Sequence, residues 1–120
     1  MTTLELLQTT KAAWPSIRDA GAEEKNRLLC AMAESLIQNA DKILAENAFD
    51  LEQARGVISE VMLDRLRLDA GRIASMASGI REAAALPDHT GRILSEITRP
   101  NGLKIQKKQV PLGLVAIIYE

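Results

Sequence analysis

Histidine and cysteine carry much of enzymatic proton transfer, nucleophilic attack and metal ligation, and this chain has one of each, His89 and Cys30. His89 lies in the polar stretch Asp88-His89-Thr90. It has no spaced set of His, Cys or carboxylates to share a metal, and no neighbour that would make it half of a catalytic dyad. It reads as an exposed loop histidine, and no metal site is expected. Cys30 sits in an apolar stripe beside Leu29 and Ala33, the setting of a small buried hydrophobe rather than of an activated thiolate. Asp64 and Arg65 are adjacent and suit the capping and pairing of helices. Asn47 and Asp50, three residues apart, face nearly the same side of a helix and suit holding a loop or capping a neighbour. Neither Gly-x-Gly-x-x-Gly nor Gly-x-x-x-x-Gly-Lys, the glycine patterns that cradle phosphates, occurs. On residue types and spacing alone, no residue is a catalytic candidate.

The elements that hold these residues are mostly helical. Thr2 and Glu5 make a capping box at the start of a first helix, which Pro15 should kink or end near Trp14. Gly21 breaks the chain. From Ala22 to Gln38 the pairs Leu28/Leu29, Met32/Ala33 and Leu36/Ile37 recur every four residues, an amphipathic helix. Asn39 is placed to cap a third helix running to about Arg55, with Gly56 at its C-terminal cap. Ser59 should cap a short helix carrying Met62, Leu63 and Leu66. Asp69 should cap a longer one with Ile73, Met76, Ala77 and Ile80 on one face, ended by Pro87.

After residue 91 the period changes. Arg92–Arg99 and Leu103–Val110 alternate, with Ile93 and Ile97 on one side of the first run and Leu103 and Ile105 on one side of the second. Arg99-Pro100-Asn101-Gly102 between them fits a type I turn with a bulge, so a β-hairpin is expected. Leu114-Val115-Ala116-Ile117-Ile118 does not alternate, which marks a strand buried on both faces of a parallel sheet. Burying Leu114, Val115, Ile117 and Ile118 would contribute roughly 6–12 kcal/mol at the upper end. A strand of that kind without neighbours is an expectation of further chain.

Composition sets bounds around these elements. The chain has 120 residues, is 47% hydrophobic and 26% charged, and has only Trp14, Phe49 and Tyr119 as aromatics. This describes one small globular unit with an aliphatic, alanine-rich core. The formal net charge of −1 gives no field that would steer it to nucleic acid or an anionic membrane. The charge is uneven, however. Residues 1–91 hold ten Lys/Arg against fourteen Asp/Glu, while residues 92–109 hold five (Arg92, Arg99, Lys104, Lys107, Lys108) against Glu96. The hairpin is either a solvated basic face or a basic arm that meets an acidic surface, such as another subunit. One cysteine makes no internal disulfide, no secretory leader is evident, and no apolar run is long enough to span a bilayer. A cytoplasmic location is expected.

Several stretches in order resemble one family: Glu24-Lys25-Asn26, Asn47-x-x-Asp50, Asp64-Arg65-Leu66 with Leu68, Leu86-Pro87-Asp88 with Gly91, Asn101-Gly102-Leu103, and Val110-Pro111-Leu112-Gly113 running to Ile117-Ile118-Tyr119-Glu120. Together they resemble the N-terminal region of the γ-glutamyl phosphate reductases, in the aldehyde dehydrogenase superfamily. The resemblance implies an α/β parent fold, of which this chain would be a mainly α-helical part with a C-terminal β-hairpin and one buried-type strand. It divides the chain into a helical region (1–91), a hairpin oligomerisation arm (92–109) and the first strand of a nucleotide-binding domain (110–120). It implies NADPH-dependent reduction of L-glutamyl 5-phosphate to glutamate 5-semialdehyde and phosphate in proline biosynthesis, through a cysteine thiolate. That cysteine would lie beyond Glu120, and Cys30 matches it in neither position nor context. The chain alone is therefore expected to be inactive. Ile118, Tyr119 and Glu120 would lie near the cofactor in the parent fold, and homo-oligomers would form through the hairpin. Two departures stand out: Pro15 falls within a first helix that is usually smooth, and His89 replaces a second proline after Pro87-Asp88. The competing readings are a stand-alone helical interaction module without catalytic activity, and a shortened gene product that modulates assembly of full-length subunits. No nucleic-acid or membrane partner is expected.

Overall fold

The computed structural model describes residues 2–118. Five helices, α1 (Thr3–Asp19), α2 (Ala22–Gln38), α3 (Ala40–Ala54), α4 (Glu60–Leu66) and α5 (Ala70–Ala85), precede two strands, β1 (Ile93–Thr98) and β2 (Lys104–Lys108). The chain divides into two compact units: Glu23–Leu86 is one, and α1 with the hairpin and the segment after it is the other.

Local side chains set most helix boundaries. Thr2 Oγ1 accepts from Glu5 N–H at 3.2 Å while Thr2 N–H donates to Glu5 Oε2 at 2.7 Å, completing the capping box of α1. Ser59 and Asp69 accept from Met62 and Arg72 N–H at the starts of α4 and α5. Gly56, just past α3, has φ of 73°, the left-handed conformation that glycine adopts without a Cβ penalty.

Two boundary expectations are corrected. Pro15 does not end α1, which continues to Asp19 with the proline inside it. Proline removes one backbone donor, and the carbonyl it strands belongs to Lys11, an exposed residue whose carbonyl water can satisfy. Asn39 does not cap α3 through its side chain. Its Nδ2 donates backwards to the Ser35 carbonyl at 2.8 Å, so the side chain serves the end of α2 instead.

The Glu23–Leu86 unit has a small core of Ala33, Leu63, Ile73, Ala77 and Ala84. Alanines dominate because they let helix backbones approach closely. Of the paired apolar residues on α2, Ala33 is buried and Leu29 and Leu36 are half-buried, whereas Leu28, Met32 and Ile37 are exposed. Ile73 and Ala77 form the inward face of α5 with Ile80 half-buried, but Met76 lies outside it.

β1 and β2 form an antiparallel hairpin with Ile97 opposite Ile105, Glu96 opposite Gln106 and Thr98 opposite Lys104. Its turn is closed by Gly102 N–H on the Arg99 carbonyl and Arg99 N–H on the Leu103 carbonyl, each at 2.9 Å. Gly102 takes φ of 83°, the geometry that a glycine at this turn position permits. The ladder is irregular between Ile93, which pairs with Lys108, and Ser95, which pairs with Lys107. Leu94 is the inserted residue. This bulge breaks the alternation, so Ile93 does not share the Ile97–Ile105 row as strict period two predicts.

The strand expected over 110–120 is not formed among the described residues. Residues 110–118 are irregular, and Val110, Leu112, Val115, Ile117 and Ile118 are all exposed. A strand exists only through hydrogen bonds to a neighbouring strand, and β1 and β2 already pair with each other. Tyr119 and Glu120 lie outside the described residues.

Candidate functional site

Each residue with chemical potential has a definite place. His89 is exposed after α5, as expected. Cys30 is also exposed, which corrects its reading as a buried hydrophobe. The inward stripe of α2 runs through Asn26, Leu29, Ala33 and Leu36, and Cys30, about 100° round the helix from Leu29, falls on its flank. Among the described residues no group of three His, Cys, Asp or Glu is placed to hold a metal, and no helix is long and apolar enough to cross a membrane.

Asn47 has a structural task. It is a buried polar residue, 6% exposed. Its Nδ2 donates to the Leu66 carbonyl at 2.9 Å and its Oδ1 accepts from Leu68 N–H at 2.7 Å. Both halves of the amide thus close on the link between α4 and α5. Arg72 reinforces the same link, donating to the carbonyls of Asp64 and Arg67 and pairing with the Asp64 carboxylate at 3.3 Å. Asp64 therefore pairs helices, as its sequence setting implies, through Arg72. At the exposed end of α1, the hydrogen bond from Arg18 holds the Asp19 carboxyl below its usual range.

The hairpin is the candidate site for assembly. Register places Ile97 and Ile105 on one face, and Leu103 joins them by alternation. The opposite face carries Glu96, Gln106, Thr98 and Lys104, with Gln106 Nε2 donating to Glu96 and Lys104 Nζ lying 3.9 Å from the same carboxylate. The Ile97–Ile105 pair thus shares its face with Ser95 and Lys107, the opposite face is polar and internally paired near the turn, and every residue of both strands is exposed. A two-stranded hairpin gains little stability by itself, and an exposed apolar row of this kind is a candidate contact surface. The arm retains a positive balance, since Glu96 is its one acidic residue against five basic ones.

The excess of surface extends beyond the hairpin. The exposed area is 9914 Å². A globular monomer of 13.1 kDa exposes about 6,400 Å², and two separate globules of half that mass about 7,700 Å². The exposed area exceeds both values. α1 buries none of its residues, and Leu4, Leu6, Leu7 and Ile17 on it are all exposed.

The chain is 54% identical over 118 residues to a γ-glutamyl phosphate reductase of Neisseria gonorrhoeae, and 50% identical over 116 residues to one of Streptococcus pneumoniae. Its relatives are γ-glutamyl phosphate reductases. The crystal structure of the γ-glutamyl phosphate reductase from Thermotoga maritima superposes with a TM-score of 0.85 at 33% identity, covering 90% of this chain and 26% of that one. The two bacterial reductases align with 98% and 97% of the chain, yet the chain spans 28% of the length of each. No protein-family model matches it. The resemblance legible in the sequence thus holds over nearly the whole chain, and the name of the relatives is that of an oxidoreductase.

Three grooves among the described residues differ in their lining. The groove between α2 and α3, about 360 Å³, is lined by Met32, Ser35, Leu36, Asn39, Ile43 and Ile80, without a cation for phosphate. In the neighbouring groove the one cation, Lys42, sits among Glu46 and Asp50. The groove between α1 and Gly113–Val115 is apolar.

Proposed function

We propose that this chain is the N-terminal, assembly-bearing portion of a cytoplasmic NADPH-dependent reductase. The whole enzyme would convert L-glutamyl 5-phosphate to glutamate 5-semialdehyde and phosphate in proline biosynthesis. The observation that carries this reading is the match of 98% of the chain, at 54% identity, to 28% of a γ-glutamyl phosphate reductase. Its own residues act as structure. Asn47 and Arg72 fix the α4–α5 link, the alanine-rich core packs α2 to α5, and the hairpin presents Ile97, Leu103 and Ile105 to a second subunit. The segment 110–118 would find its neighbouring strands in the nucleotide-binding domain of the α/β parent, with Ile118 and the two residues after it close to the cofactor. The nucleophilic thiolate would come from the remainder of the protein, because Cys30 lies on the flank of a helix with no base beside it in sequence. The exposed area of 9914 Å² favours this reading over a stand-alone interaction module, which would have to satisfy its apolar surface alone. The purified chain, assayed in both reaction directions with NADPH or NADP, should show no turnover. Turnover that survives Cys30→Ala would overturn the assignment of the chemistry to the remainder, and turnover lost with that change would make Cys30 the nucleophile.

A further inference from the structure

We draw no further inference here: the strongest candidate, the apolar groove between α1 and the Gly113–Val115 segment, lined by Trp14, Ile17 and Leu114, is an unpartnered surface, and nothing in the structure shows what covers it.

Discussion

Ile97 stands directly opposite Ile105 across the hairpin, and the two side chains are 58% and 46% exposed. A cross-strand aliphatic pair contributes to holding the strands together only to the extent that it is covered. This pair is therefore the most direct handle on the assembly proposal. Replacing it by a salt-bridged pair, Ile97→Glu with Ile105→Lys, keeps a favourable cross-strand partner while removing the apolar face. Sedimentation should show a shift to smaller species with the helical circular dichroism unchanged. Unaltered association would take the hairpin's apolar face out of the interface.

The Asn47 amide joins α3 to the α4–α5 link through one donor and one acceptor. Asn47→Ala should cost about 1–3 kcal/mol in denaturant unfolding, the penalty for burying backbone groups without partners. Asn47→Asp should be as damaging at neutral pH, because a carboxylate can accept from Leu68 N–H but faces the Leu66 carbonyl with no proton to donate. The folded state then favours the protonated form, so the introduced carboxyl has a raised native pKa. Its deficit relative to the unsubstituted protein should shrink as pH falls toward about 4, the ordinary carboxyl range, and grow as pH rises. A deficit independent of pH would show that the Leu66 contact is unimportant.

Two glycines predict opposite signs. Gly56 has positive φ after α3, and Gly56→Ala should destabilise by about 1 kcal/mol, although nothing lies within 4 Å of the added Cβ. Gly79 sits inside α5 at an exposed position, also with open space around a Cβ. Gly79→Ala should stabilise by about 0.5–1 kcal/mol. Thermal unfolding of the two variants side by side checks both, and equal signs would refute the conformational argument.

Much of the fold is legible because its determinants are local. Thr2 with Glu5, Ser59, Asp69 and Gly102 act within four residues of themselves, so their types and spacing place the caps and the turn. Other features depend on what stands opposite. Cys30 and Leu29 are indistinguishable as neighbours in an apolar stripe until packing against the rest of the unit selects the inward row. Asn39 can serve the helix before it or the helix after it, and the Ser35 carbonyl takes the side chain. The bulge at Leu94 leaves no glycine or proline as its mark. The uncharged run 110–118 announces burial, but a strand needs a partner and none of the described elements offers one. As for chemistry, His89 is exposed as its polar loop implies, whereas Cys30 leaves the stripe that its neighbours suggest.

Residues 110–118 supply a further prediction. Their exposed side chains include Leu112 at 94% and Ile118 at 93%, an uncharged apolar segment of the kind that pairs with copies of itself. The isolated chain should associate at high concentration, and Val115→Lys with Ile117→Lys should weaken that association while sparing the helical unit Glu23–Leu86. A double variant that loses its helical circular dichroism would instead place the segment within the packed interior.

The central claim is that this chain does the structural work of one part of a γ-glutamyl phosphate reductase. The most direct measurement replaces the 118 aligned residues of the Neisseria gonorrhoeae relative with those of this chain and follows NADPH oxidation on γ-glutamyl phosphate. The account predicts an active enzyme of the same subunit number as the relative. A chimera that folds and assembles normally yet fails to turn over substrate would contradict it.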